Sequence, residues 1–352
     1  MTSPQWTIGW DCGTASIGGP GAMLAPAHFK LPDGNTVQPF AVAPWGEDVS
    51  PAHETLPNLL KRLRGEWVCV PFGMPSPPSD LPSGWVAEGD GSASGETWFH
   101  GYSSNAHWHL ARLEASAIEL TLDYPSSHPV RRLTRRVRGV PGRSALAFEL
   151  EVETRTDVAL PIGLHPVFRL PAESGRARIG FGGEARVATY PVDAEIGISR
   201  FRPGLLEQPF HAVPCKDGTL VDLGQQPLSF ATEELVLAYN HGGSATLANT
   251  AEGYDVRLTW DATSFPSCML WLSNTGRRAY PWSGRFQAIG IEPVVAPFDL
   301  GRTVANNLDN PLRQAGIRTA RQFTANTSWT TAYLIEVSPL HDASPSPPGR
   351  ES

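Results

Sequence analysis

The chain has 352 residues, of which 41% are hydrophobic and 18% charged, and its formal net charge is −7. This composition is typical of a soluble globular protein, and the acidic balance argues against nucleic acid as a general partner. The first residues carry neither a basic start nor an apolar core, and no run of about eighteen apolar residues occurs. We therefore expect neither a secretion signal nor a membrane span, and we expect a cytoplasmic protein.

Cysteine usage points the same way. The four cysteines, Cys12, Cys69, Cys215 and Cys268, are far apart in the chain and show no C-x-x-C spacing. Disulfide frameworks and structural zinc sites both require patterned cysteines, so we expect reduced thiols.

The N-terminal part contains one helix-like pattern, at residues 52–64. Four leucines between residues 56 and 63 recur there at helical spacing. The segment ends on Arg64 and an apolar run follows, which predicts that Arg64 lies where a strand enters the core. Lys61 and Arg62 stay open as alternative inward-pointing groups.

Short strands dominate the rest of the chain. Apolar and polar residues alternate with a period of two from about residue 108 to about residue 156, which predicts an antiparallel meander. Further strands are predicted at residues 177–181, 184–189, 235–238, 245–248, 254–260, 268–273, 286–295 and 331–337. This pattern predicts an all-β fold of the sandwich or barrel kind. We predict a single domain over residues 1–340 and a disordered tail at residues 341–352.

Five arginines are concentrated between residues 131 and 138. Such a run can bind phosphates, but on an alternating strand a solvated face is the more common arrangement. We therefore predict that this run forms a solvated face of the sheet.

The first candidate for chemistry is His165, in the stretch from Gly163 to Pro171. It stands between apolar neighbours at the end of a predicted strand. Unperturbed histidine titrates near ~6.5, so it can give and take a proton at neutral pH. The alternative is a core histidine that is bonded to a backbone carbonyl.

The second candidate is Glu292, which isoleucines and valines flank in the predicted strand at residues 286–295. A buried carboxylate is costly unless it is paired or used, and desolvation raises its pKa towards that of a working base. The alternative is a structural ion pair with an arginine such as Arg285 or Arg302.

Three motifs occur in a fixed order along the chain: His100-Gly-Tyr with Trp108 after it, Gly163-Leu-His165-Pro-Val-Phe-Arg-Leu-Pro, and Ile291-Glu292-Pro293 with Pro297 after it. Together they resemble the signature regions of the aldose 1-epimerases, the galactose mutarotase-like proteins, over roughly residues 41–332. The resemblance implies a large antiparallel β-sandwich, often called a supersandwich, which binds a sugar in an open cleft.

The same resemblance implies roles for individual residues. Glu292 would be the general base that deprotonates the anomeric hydroxyl, and His165 the general acid that protonates the ring oxygen. His100 and Arg64 match the family's second histidine and its arginine, which hold sugar oxygens. We expect His165 and Glu292 to face each other with room for a pyranose between them. No metal, nucleotide or redox cofactor is required, and the expected partner is a small-molecule sugar bound by a monomer or small homo-oligomer.

Two features depart from the family pattern. The nearest match to the family's sugar-binding aspartate is Glu233, and Arg64 lacks the usual proline-rich context. Both departures concern substrate contacts, so they leave open which sugar is used and whether it carries a phosphate or a sulfonate. Trp271 and Trp282 can stack on a pyranose, but strand tryptophans are often core residues, and we expect at least one of the two in the core.

Two other functions remain open at this stage. His107 and His109, with Gly101 and Glu114, have spacings similar to the first cupin motif, which would make the protein a metal enzyme. No later segment supplies the second half of such a site. The other alternative is a carbohydrate-binding module without turnover, because a fold alone does not confer catalysis.

Overall fold

Two large antiparallel sheets form the body of the protein, in a computed structural model that describes residues 4–86 and 96–340. The strands within these residues are, in chain order, β1 (Gln5–Trp10), β2 (Gly13–Gly18), β3 (Leu24–Lys30), β4 (Thr36–Val37), β5 (Val68–Cys69), β6 (His109–Leu113), β7 (Ala117–Asp123), β8 (Val130–Gly139), β9 (Ala145–Thr154), β10 (Val158–Leu160), β11 (Ile162–Leu164), β12 (Val167–Arg169), β13 (Ala177–Phe181), β14 (Arg186–Thr189), β15 (Gln208–Pro209), β16 (Val213–Pro214), β17 (Leu220–Val221), β18 (Gln225–Gln226), β19 (Thr232–Tyr239), β20 (Ser244–Asn249), β21 (Tyr254–Trp260), β22 (Ser267–Asn274), β23 (Gln287–Val295), β24 (Arg321–Phe323) and β25 (Ser328–Pro339). The helices are α1 (Pro51–Glu54), α2 (Asn58–Arg62), α3 (Gly301–Asn306) and α4 (Pro311–Gln314).

The two sheets have different strand orders. The nine-stranded sheet runs β18-β13-β20-β21-β25-β9-β8-β7-β6. The eight-stranded sheet runs β15-β14-β19-β22-β23-β11-β5, and β12 also pairs with β23. Strands β1 to β4 form a separate sheet, and β10-β24 and β16-β17 form two small ones. The predicted all-β sandwich is therefore confirmed. The predicted tail at residues 341–352 lies outside the described residues.

Side-chain alternation explains how the layers pack. In β9 buried residues alternate with half-buried ones, whereas β19 and β22 are buried along their whole length. One apolar cluster lies between the two large sheets, and a second lies on the opposite face of the eight-stranded sheet. Because both faces of β19 and β22 are covered, each strand contains a continuous apolar run, residues 235–239 in β19 and residues 268–272 in β22.

The helix predicted over residues 52–64 is wrong as a single element. The structure has two short helices there, α1 and α2, and Pro57 stands as the N-cap of α2 between them. Proline has no backbone N–H, so it cannot continue the hydrogen-bond ladder of α1 into α2. None of the helices in the described residues is long and apolar enough to span a bilayer.

The predicted solvated arginine face is correct only in part. Arg132 and Arg136 are partly exposed and pair with surface carboxylates. The Arg135 side chain, by contrast, is fully buried, pairs with the buried Glu66, and donates to the Ala22 carbonyl over 2.8 Å. Arg135 alternates with Leu133 and Val137 on the buried face of β8, whereas Arg132 and Arg136 lie on the other face of the strand.

Candidate active site

Strand register brings three predicted site residues to one face of the eight-stranded sheet. In the pairing of β22 with β23, Met269 lies opposite Glu292 and Trp271 lies opposite Gly290. Residues that lie directly opposite each other in a sheet share a face, as do alternate residues along one strand. Glu292 and Trp271 therefore point to the same side of the sheet. Glu233 points to that side as well, because it lies opposite Ser273, which is two residues from Trp271 on β22.

Backbone contacts fix the position of His165 just after β11. Its N–H donates to the carbonyl of Trp67 over 2.8 Å, and the next residue, Pro166, accepts from the Ile291 N–H over 3.0 Å. At Gly163 a Cβ would lie 2.5 Å from the Phe72 ring, so only glycine lets the strand approach this closely. His165 is thereby attached both to the segment of Trp67 and to the strand of Glu292.

His100 is held by a reciprocal pair of bonds with one glycine. Its backbone N–H donates to the Gly73 carbonyl over 2.7 Å, and its Nδ1 accepts from the Gly73 N–H over 3.2 Å. Because Nδ1 is an acceptor, the proton of the neutral imidazole is on Nε2. His100 therefore offers a fixed N–H donor.

A cavity of about 460 Å³, including its open mouth, collects these groups on the outer face of the eight-stranded sheet. Its polar lining residues are His100, His165, Arg277, Glu292 and Asp299, and its aromatic ones are Trp67, Phe99, Trp271 and Trp282. A concave site with aromatic walls and a few convergent polar groups is typical of small-molecule binding. Both tryptophans predicted as stacking candidates line it.

The imidazole of His165 and the carboxylate of Glu292 are adjacent within this cavity. His165 Nε2 lies 3.4 Å from Glu292 Oε2. The Trp67 ring stacks on His165 with centroids 3.9 Å apart, and the His100 ring meets His165 edge-on at 4.9 Å. The orientation of the His165 ring is thus fixed by packing.

Burial controls the protonation of these groups. It raises the pKa of Glu292 well above its ordinary 4.5, and the nearby Asp299 carboxylate raises it further. It lowers the pKa of His165 well below 6.5, with His100 adding to the effect, and burial lowers the pKa of His100 to about 3. Burial thus favours the neutral form of each of these three side chains. Ionisable groups with such shifted pKa values are typical of sites that transfer protons.

Several buried polar atoms of the cavity make no hydrogen bond within the described part of the chain. They are Trp67 Nε1, His165 Nδ1, Glu292 Oε1, Glu292 Oε2 and Asp299 Oδ1. Buried polar groups are nearly always paired in proteins, so a concentration of unpaired ones calls for an explanation. A hydroxyl-rich ligand would satisfy them. The structural ion pair that was the alternative for Glu292 is not formed with Arg285, which pairs with Asp48.

The structure corrects the prediction that Glu233 binds the substrate. Its Oε1 accepts from Trp271 Nε1 over 2.5 Å and its Oε2 accepts from Ser273 Oγ over 2.9 Å. Arg277 Nε lies 3.3 Å from the same Oε1. Glu233 is fully buried behind the lining residues, where it positions Trp271 and Arg277.

The prediction for Arg64 is also corrected. Arg64 lines a different, smaller pocket beside Arg62, and its Nε donates to the Arg62 carbonyl over 3.1 Å. The cationic side chain of the cavity is Arg277 instead. Sequence reasoning missed Arg277, which follows β22 in a polar segment without any pattern. It also missed Asp299, although an acid in the apolar run after Glu292 was a usable signal.

The cupin-like residues do not form a site. His107 and His109 are both exposed, and neither lines the cavity. In the described residues no group of three or more His, Cys, Asp or Glu side chains is arranged to hold a metal ion.

Comparison with known proteins identifies the architecture. No protein-family model and no curated protein matches this sequence. A candidate aldose 1-epimerase from Escherichia coli K12 superimposes with a TM-score of 0.63 over 96% of this chain and 100% of its own, at 14% identity. The chain has the galactose mutarotase-like fold.

Two further solved structures with this fold come from distant organisms. The GalM/aldose epimerase homologue from C. elegans matches with a TM-score of 0.60 at 13% identity, over 97% of this chain and 100% of that one. The galactose mutarotase related enzyme from Lactobacillus acidophilus matches with a TM-score of 0.59 at 13% identity, over 96% and 99%. At such identities the likeness establishes the galactose mutarotase-like fold, and function has to be argued from the residues of the site.

Proposed function

We propose that this protein is an aldose 1-epimerase, which interconverts the α and β anomers of a hexose or a hexose derivative. The proposal depends on one observation, the pairing of His165 Nε2 and Glu292 Oε2 at 3.4 Å in the wall of the cavity. It is supported by the fold, because solved structures that share it carry the names aldose 1-epimerase and galactose mutarotase.

The chemistry requires the acid and the base to be neighbours. The anomeric hydroxyl and the ring oxygen of a pyranose are bonded to the same carbon, so a pair that acts on both must present its two polar atoms side by side. The earlier expectation that a pyranose lies between His165 and Glu292 does not fit a 3.4 Å separation. The sugar instead lies over the pair, with C1 facing both side chains.

In the proposed reaction Glu292 takes the proton of the anomeric hydroxyl while His165 gives a proton to the ring oxygen. The bond between C1 and the ring oxygen breaks, and a free aldehyde forms. Rotation about the bond from C1 to C2 exposes the other face of the aldehyde. His165 then takes back the proton of the ring hydroxyl as it attacks C1, and Glu292 returns its proton to the new anomeric hydroxyl.

His100 supports this reaction as a donor that does not titrate. The Gly73 N–H fixes the His100 proton on Nε2, and with a pKa of about 3 the ring stays neutral. A neutral N–H donor near the ring oxygen stabilises negative charge without competing for the proton that His165 transfers. Trp271 supplies a flat apolar wall against which the carbon-bound hydrogens of a pyranose can pack.

The experiment is anomerisation of freshly dissolved sugars, followed by polarimetry or NMR. The substrates are α-glucose, α-galactose and hexoses with a 6-phosphate or a sulfonate group. The proposal requires that at least one of them equilibrates faster with the protein than without it. Quenching of the cavity tryptophans reports binding separately, so a sugar that binds without faster equilibration would identify a carbohydrate-binding module.

A further inference from the structure

The carboxylate of Glu233, which the sequence predicts to bind the sugar, is already hydrogen-bonded within the protein. Both oxygens of Glu233 accept hydrogen bonds from protein donors, and Arg277 lies beside one of them. A carboxylate in this condition has little capacity left for a ligand hydroxyl. The cavity therefore needs another acceptor if it is to orient a sugar.

Asp299 meets this need. It lines the cavity, is only 4% exposed, and its Oδ1 makes no hydrogen bond to any described residue. Burial raises its pKa to about 6, against the lowering effect of the Tyr190 hydroxyl and the Arg277 guanidinium. At neutral pH the side chain is thus largely ionised, and an ionised carboxylate can only accept hydrogen bonds.

The backbone of Asp299 is tied to the segment that holds His100. Its carbonyl accepts from the Met74 N–H over 2.6 Å, and the neighbouring Gly73 makes both bonds to His100. A Cβ on Gly73 would lie 2.5 Å from this same Asp299 carbonyl. The backbone of Asp299 therefore has a fixed place relative to the groups that would act on the sugar.

We propose that Asp299 is the substrate-binding acid of the cavity, which accepts a hydrogen bond from a sugar hydroxyl and so selects uncharged sugars over phosphorylated or sulfonated ones. This inference rests on the proposed function. It assigns to Asp299 the sugar-binding role that the sequence had suggested for Glu233.

The selection against anions follows from the charges around the cavity. The carboxylates of Glu292 and Asp299 line the cavity. Three of their oxygens, both of Glu292 and Oδ1 of Asp299, accept no hydrogen bond from the described residues. The guanidinium of Arg277 is already matched by Glu195 at 3.2 Å and Glu233 at 3.3 Å. An anionic substituent would thus meet the negative charge of the ionised Asp299 beside a guanidinium that two glutamates already neutralise, whereas a hydroxyl group is a donor that Asp299 can accept.

The test compares Asp299→Asn and Asp299→Ala with the wild-type protein on glucose, on its monodeoxy derivatives and on glucose 6-phosphate. We expect Asp299→Ala to raise KM by about 10- to 100-fold, the usual effect of losing a hydrogen bond to a charged group, and to change kcat less. Asp299→Asn should have a smaller effect because its amide oxygen still accepts. Asp309→Asn, an exposed change in the same part of the chain, is the control and should leave KM unchanged.

The deoxy sugars separate binding from a structural role. One monodeoxy sugar should bind the wild-type protein weakly yet lose no further affinity in Asp299→Ala, because the variant lacks the acceptor for that hydroxyl. An equal loss for every sugar, or an unchanged KM, would overturn the inference. So would tighter binding of glucose 6-phosphate than of glucose by the wild-type protein.

Tryptophan quenching keeps this inference distinct from the proposed function. If no sugar is anomerised but one binds in a way that depends on Asp299, the proposed function fails and the inference stands. If sugars are anomerised equally well with and without the Asp299 carboxylate, the inference alone fails. Asp299→Asn conserves shape, so it serves as the test if the alanine variant does not fold.

Discussion

His165 Nε2 lies 3.4 Å from Glu292 Oε2, although Glu292 is on β23 and His165 lies in the short connection between β11 and β12. Neither carboxylate oxygen of Glu292 has a hydrogen-bond partner among the described residues. At this distance we expect the pair to titrate as a unit whose active form carries one exchangeable proton, which either residue can hold. The proposed anomerisation requires such a proton, because one sugar oxygen must lose a proton while another gains one.

The first prediction concerns the rate. Glu292→Gln and His165→Ala should each lower the anomerisation rate by about 10²- to 10⁴-fold, as expected for loss of a general base or acid. Exposed Glu173→Gln is the matched control for the first change and should retain wild-type activity. Polarimetry on the preferred sugar measures the rates. A variant that keeps near wild-type activity would remove that residue from the mechanism.

The second prediction concerns the pH profile of kcat/KM. The acid limb reports a second proton on the pair, and burial places the pKa of His165 well below 6.5. The alkaline limb reports loss of the shared proton, and burial places the pKa of Glu292 well above 4.5. We therefore expect a broad plateau through neutral pH with falling limbs on both sides.

The same profile tests the role of His100. With a pKa of about 3, His100 should add no limb above pH 4, so His100→Gln should lower the whole curve without moving either limb. An acid limb at or above pH 6.5 in the wild-type protein would contradict this account of the site.

The third prediction uses a glycine whose position constrains the carboxylate of Glu292, the proposed base. A Cβ on Gly290 would lie 2.1 Å from Glu292 Oε1, so Gly290→Ala must displace the carboxylate. A displacement of about 1 Å in an active site can cost roughly 100-fold in rate, and we expect a loss of that order. Gly180→Ala is the control, because that strand glycine has no heavy atom within 4 Å of a Cβ. Equal activity in the two variants would argue that Glu292 is not the base.

Much of the fold could be predicted because its strands follow local rules. The ranges of β13 and β21 match the sequence prediction, since alternation and flanking turn residues define both. The segment at residues 52–64 failed because helical spacing of leucines outweighed one internal proline in the prediction. Arg135 failed for a different reason, because its partner Glu66 is distant in sequence and belongs to no strand.

The site residues could be predicted where an ionisable side chain stands within an apolar stretch of sequence. His165 and Glu292 stood out as polar groups in apolar strands, and the fold brings them together. Glu233 shared that property but is satisfied by Trp271 and Ser273, a pairing that depends on strand register. Sequence marks a buried acid, but only the neighbouring strands decide whether it faces a partner or a cavity.

The fourth prediction concerns the buried ion pair of Arg135 and Glu66, to which Tyr333 donates over 2.5 Å. Arg135→Met should destabilise the protein by about 3–5 kcal/mol, because it leaves a buried charge without a partner. A triple change that adds Glu66→Leu and Tyr333→Phe should recover most of this loss. Urea denaturation measures the free energy of unfolding.

The exposed pair of Arg132 and Asp123, with side chains 45% and 60% exposed, provides the comparison for that measurement. Arg132→Met should cost less than about 1 kcal/mol, because water already screens this pair. Similar losses from the two arginine changes would mean that the interior pair is hydrated.

The fifth prediction follows from the raised pKa of Glu292 and concerns stability rather than rate. A carboxyl whose pKa is higher in the folded than in the unfolded protein favours folding below about pH 4.3, and this contribution is lost as the pH rises through the folded pKa. At neutral pH Glu292 therefore destabilises the folded protein. Glutamine at this position does not titrate, so it removes this pH-dependent contribution to stability. The Tm of Glu292→Gln minus that of the wild-type protein should thus increase between pH 4.5 and pH 8, while Glu173→Gln shows no such trend. A constant difference across this range would mean that the carboxyl of Glu292 titrates normally, and the site would then lack the desolvation on which its role as a base depends.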